Sequence, residues 1–142
     1  MAETCVVNVE QNGYRNVILR CTLLSDGSGI TNQKIYDATS TGPYGVNRAG
    51  QLFYPGIHTT VVALDYDAQD LKLLIQWEAS VNANIFALSN APEDFDFRNF
   101  GGIRVPGGLA GATGSILVST VNQAPQSTFT FVLYLRKNAP IS

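Results

Sequence analysis

The run Ser127–Lys137 alternates along its length, with Phe129, Phe131, Leu133 and Leu135 on one side and Thr128, Thr130, Tyr134 and Arg136 on the other. A repeat of two belongs to an extended strand with one face buried, because successive side chains there point to opposite faces. The same period governs Asn16–Leu24, where Val17, Leu19, Cys21 and Leu23 oppose Ile18, Arg20, Thr22 and Leu24. It returns in Leu71–Trp77, where Leu71, Leu73, Ile75 and Trp77 oppose Lys72, Gln76 and Glu78. No segment shows a convincing helical period, so the chain is constrained to an all-β architecture.

The remaining strand candidates are Thr4–Glu10, Ile30–Ala38, His58–Tyr66, Asn84–Leu88 and Ser115–Val121. Turn formers separate them: Asn12-Gly13, Ser25–Gly29, Asp67–Asp70, Ser80–Ala83 and Asn122–Gln126 with Pro125. About eight short strands broken by Gly- and Pro-rich turns predict an antiparallel β-sandwich, jelly-roll-like in form. A length of 142 residues suits one domain spanning 1–142, with a flexible arm at 1–4 and a flexible tail at 138–142.

Two long glycine-rich loops interrupt this pattern. Phe95–Gly114 carries Gly101, Gly102, Gly107, Gly108, Gly111 and Gly114 among three phenylalanines, Arg98 and Arg104. Thr39–Tyr54 mixes Gly42, Gly45 and Gly50 with Tyr44, Arg48, Phe53 and Tyr54. Loops of this length inside a small domain are usually functional or disordered, and the aromatics argue against plain linkers.

Charge narrows the partners. The net charge is −2 and the pI is near 5.2, with basic residues scattered, so nucleic acid is not an expected partner. Charged residues make up 14% of the chain, against roughly 25% in an average soluble protein. A low-charge surface suits a protein that forms interfaces. The opening residues MAETCVVNVE lack a basic segment, no apolar run is long enough to cross a bilayer, and no Asn-x-Ser/Thr site occurs. The expectation is a soluble intracellular product that does not bind membranes.

Candidate chemistry is sparse. His58 has no second histidine to work with, and its place at a strand end suits packing or hydration. Asp65, Asp67 and Asp70 could be read as calcium ligands, but they lack the glycine and distal glutamate of an EF-hand loop and read better as an acidic turn. Glu93, Asp94 and Asp96 could be paired carboxylates for acid–base chemistry; neighbouring Arg98 favours a bidentate salt bridge within the loop. The paired glycines have no lysine or helix after them and so form no phosphate cradle. Cys5 and Cys21 read as small buried hydrophobes, with a bridge between neighbouring strands left open. No catalytic residue, metal or cofactor is expected.

The segment 57–138 resembles the head decoration, or cement, proteins of tailed bacteriophages. The resemblance rests on Asp96-Phe97-Arg98, Gly101-Gly102-Ile103, Pro106, Thr113-Gly114, the run Ile116–Thr120, the terminal Leu133-Tyr134-Leu135-Arg136-Lys137, and Trp77 upstream. Ser115 stands where an acidic residue often follows the Thr-Gly pair in that family. The resemblance implies a β protein on the outer capsid surface, usually a homotrimer, that binds the major capsid protein and bridges capsomers. Arg98, Asn99, Phe100, Ile103 and Arg104 of the second loop, with Tyr44, Arg48, Phe53 and Tyr54 of the first, are then the expected contacts to capsid or sister subunits. The competing expectation is a carbohydrate-binding or head–tail module of a phage particle, with Tyr44, Phe53, Tyr54 and Phe100 stacking on sugar rings.

Overall fold

In the computed structural model, residues 3–12, 16–37, 59–89, 92–106 and 108–137 are described. Met1 and Ala2, Gly13 of the Asn12-Gly13 turn, the Thr39–Tyr54 loop with Tyr44, Arg48, Phe53 and Tyr54, His58, Gly107 and the tail 138–142 fall outside them. The alternating runs become strands, and their apolar faces meet. The strands are β1 (Val6–Asn12), β2 (Asn16–Asp26), β3 (Gln33–Tyr36), β4 (Thr59–Gln69), β5 (Lys72–Trp77), β6 (Ala83–Leu88), β7 (Pro92–Asp96), β8 (Ile103–Arg104), β9 (Ile116–Val121) and β10 (Pro125–Lys137). One 3-10 turn, Arg98–Phe100, lies between β7 and β8. Among the described residues, no helix is long and apolar enough to cross a membrane.

Two antiparallel sheets result. The larger runs β1-β2-β10-β4-β7, with β8 also pairing with β4; the smaller runs β3-β9-β5-β6. The pairing is nested: β5 pairs with β6, β4 with β7, β3 with β9 and β2 with β10. The links β10·β4 and β9·β5 join these pairs into sheets. The facing sides form one core, in which Leu19, Leu64, Phe129, Phe131 and Leu133 of the larger sheet meet Leu73, Ile75, Trp77, Ile116 and Val118 of the smaller. The all-β sandwich expected from the alternation is therefore the observed architecture.

Two strands were not foreseen. β7 has the composition of a loop, PEDFD, yet it pairs along β4 from Ala63↔Asp96 to Asp67↔Pro92. Its hold is aromatic. Phe95 stacks on Tyr66 of β4 at 6.1 Å between ring centroids and on Phe86 of β6 at 6.4 Å, and Phe97 stacks on Phe86 at 5.7 Å. β6 and β7 are edge strands of opposite sheets, so this stack closes one open side of the sandwich. β8 uses part of the glycine-rich stretch to pair Ile103 with Val61 and Arg104 with Thr60.

On the other side, Gln33 of β3 ties the sheets together through Cys5. Its side-chain carbonyl accepts the Cys5 N–H at 2.7 Å, and its amide donates to the Cys5 carbonyl at 3.1 Å. Glu3, within the expected arm, donates its N–H to the Gly29 carbonyl at 2.9 Å. Its carboxylate accepts from the Asp26 and Gly29 amides and the Ser25 and Ser28 hydroxyls. Cys5 and Cys21 are both buried free thiols.

Candidate functional site

The glycine-rich stretch is built onto the sandwich by an irregularity in β4. Along β10, Tyr134 pairs with Ala63 and Leu135 with Val61, so Val62 is bulged out of that ladder. A bulge releases backbone groups and redirects the chain. The Val62 carbonyl accepts the Phe97 N–H at 2.9 Å, and the Phe97 carbonyl in turn accepts N–H donors from Phe100 at 3.0 Å and Gly102 at 2.9 Å. Phe97, its ring in the aromatic stack, is the base of the turn.

Two glycines let the backbone come back. Gly101 caps the turn in the left-handed region at φ 79°, its N–H donating to the Arg98 carbonyl at 3.2 Å. Gly102 has φ +83°, and a Cβ there would sit 2.4 Å from Thr60 Cγ2 and 2.7 Å from the Val61 carbonyl oxygen. Only a residue without a side chain allows β8 to approach β4 this closely.

The expected Arg98 salt bridge forms with Asp96, but through one guanidinium nitrogen and the backbone amide and not as a bidentate fork. Arg98 Nη1 lies 3.0 Å from Asp96 Oδ2, and the Arg98 N–H donates to Asp96 Oδ1 at 2.9 Å. The Arg98 backbone amide, then the guanidinium, holds the Asp96 carboxyl below its ordinary range. Glu93 and Asp94 stand on exposed β7 and have no such partner among the described ion pairs. The guanidinium carbon of Arg98 sits 5.7 Å from the centre of the Tyr134 ring, within cation–π range.

What this turn presents outward is Phe100. Its side chain is 85% exposed, the most exposed of the large apolar residues described. Asn99 and Arg104 are exposed beside it in sequence, whereas Ile103 is half-buried against the core. Of the expected contact residues, Arg98, Asn99, Phe100 and Arg104 are thus at the surface and Ile103 faces partly inward. No family model, curated protein or solved structure matches the chain.

Asp65 and Asp67 do not make a metal site with Asp70. The first two lie on the solvent side of β4, while Asp70 occupies the tight turn to β5 at φ 62°. Among the described residues, no three His, Cys, Asp or Glu side chains come together to hold an ion.

Sequence reasoning did not find Arg136, Asn16 and Gln11. They line a cleft of about 250 Å³ with Arg98 and Tyr134 on the outer face of the larger sheet. A second cleft of about 330 Å³, lined by Asp65, Asp94 and Asp96, shares Arg98 and Tyr134 as its wall. The outward positions of the alternating runs could have signalled a surface. They could not show which of those positions would adjoin Arg98.

Proposed function

We propose that this chain is a bacteriophage capsid decoration protein, a structural module that docks on the outer surface of the head and braces contacts between capsid subunits. The observation that carries the reading is Phe100, a large apolar side chain 85% exposed on a turn fixed by backbone hydrogen bonds. Exposed aromatics on rigid supports make effective binding anchors, because little freedom is lost when they are buried in a partner.

The resemblance in Asp96-Phe97-Arg98 and Gly101-Gly102-Ile103 supports the same reading. Those residues are the ones that build the turn: Phe97 is its base, Asp96 holds Arg98, and Gly102 permits β8. The strand order supports a jelly roll, since β2-β10-β4-β7 over β3-β9-β5-β6 is a long nested hairpin rolled into two sheets. Such a module would contribute its binding free energy to the stability of the shell that it recognises. The homotrimer, the major capsid protein as partner and the outer-capsid location belong to this proposal.

The test mixes purified protein with expanded heads stripped of decoration. Co-sedimentation with the heads and a rise in their heat resistance are expected, and Phe100→Ala should weaken binding by roughly tenfold or more, the scale of a hot-spot anchor. Heads that neither bind the parent protein nor gain heat resistance overturn the reading.

A further inference from the structure

The cleft holding Arg98 and Arg136 carries more positive charge than the described ion pairs use. Arg136 forms no ion pair among the described residues, and Arg98 spends one amino group on Asp96. Arg98 also has its guanidinium carbon 5.7 Å from the centre of the Tyr134 ring, a second contact that restricts where its remaining N–H donors point. A guanidinium restricted by two contacts loses less freedom on engaging an oxyanion than an unconstrained one. Gln11 and Asn16 add neutral amide donors to the same wall.

We propose that this cleft is a binding site for a single carboxylate. The neighbouring cleft decides between oxyanions. Asp65, Asp94 and Asp96 line it, against the same Arg98–Tyr134 wall. They leave a field that disfavours a dianion such as phosphate and any polyanion. A planar, singly charged carboxylate matches the guanidinium fork and meets less of that repulsion. In the assembly, the occupant is an aspartate or glutamate side chain of the capsid surface. That second statement rests on the decoration reading; the first does not.

The test titrates the isotope-labelled full chain with acetate, and separately with inorganic phosphate, at constant ionic strength in chloride, following the Arg98 and Arg136 side-chain N–H signals by NMR. Acetate should produce a saturable shift of both arginines and of Tyr134. Arg136→Gln should weaken it by about tenfold, as loss of a charged hydrogen-bonding partner does, and Arg98→Lys should weaken it through loss of the fork. The dispersion of the same spectra reports whether each variant is folded. Should Arg136→Gln not fold, Arg98→Lys and Arg136→Lys carry the test. No more response to acetate than to chloride, tighter binding of phosphate, or unchanged acetate affinity in the folded variants overturns the site. Head binding then separates the two claims. If the parent binds heads and folded Arg136→Gln binds equally well, the capsid carboxylate is wrong and the decoration reading stands. If the parent does not bind heads, the decoration reading falls and the acetate result is unaffected.

Discussion

At the scale of single residues, two adjacent glycines separate backbone strain from steric exclusion. Gly101 and Gly102 share almost the same left-handed φ, 79° and +83°, but a Cβ at Gly101 meets nothing within 4 Å. Gly101→Ala should therefore carry only the conformational penalty, about 1–2 kcal/mol. Gly102→Ala adds a clash with Thr60 and the Val61 backbone, and overpacking of that kind costs about 1–3 kcal/mol more. Denaturant titrations of the two variants should show Gly102→Ala to be clearly the less stable. Equal stability would mean that β8 is not held against β4. The cysteines allow a second comparison. The neighbouring Cys5 thiol and then burial push the Cys21 thiol up, while the Cys21 thiol lowers Cys5. Thiolate is the reactive form, so an alkylating reagent at neutral pH should label Cys5 of the native protein before Cys21. Mass mapping of a time course checks the order.

At the scale of elements, β7 separates what the sequence discloses from what only the fold supplies. β2, β5 and β10 were legible because their own side chains write the pattern of two. In β7, only Phe95 of the five residues is apolar and aromatic; the others are a proline and three carboxylates. The carboxylates do not favour the strand. Asp94 stands directly opposite Asp65 on β4, and like charges in that position repel. The strand exists because Phe95 joins a stack built from Tyr66 and Phe86, residues that come together only after both sheets form. Phe95→Ala should thus cost about 2 kcal/mol, less than the 3–5 kcal/mol of a fully buried phenylalanine because Phe95 is half-buried. Asp94→Asn should be neutral or slightly stabilising. A large loss with Asp94→Asn and none with Phe95→Ala would reverse the assignment. The candidate site follows the same logic. The Asp96–Arg98 bridge was legible because its members are two residues apart. The carboxylate cleft was not, because Gln11, Asn16, Arg98 and Arg136 converge from three distant parts of the chain.

At the scale of the whole molecule, the nested pairing makes the last strand indispensable. β10 lies between β2 and β4, so without it the larger sheet is two separate pieces. Its partners span the chain: Phe131 pairs with Cys21 on one side and with Tyr66 on the other. Phe129, Phe131, Leu133 and Leu135 are all at most 1% exposed in the core. Burial of each contributes about 1.5–3 kcal/mol, and their sum is comparable to the whole net stability of a typical domain, about 5–15 kcal/mol. The smaller sheet cannot compensate, because its apolar face would then lie open to water. A chain ending at Ala124 should therefore show no cooperative unfolding transition and should be digested throughout by a dilute protease that leaves the parent intact. The parent, in turn, should refold slowly for its size, since pairs such as Leu24↔Thr128 must close most of the chain before β2 or β10 has both its neighbours. A truncated chain that still unfolds cooperatively would show that β1, β2 and the smaller sheet form a stable unit without β10, and the nested hairpin would no longer describe what holds the protein together.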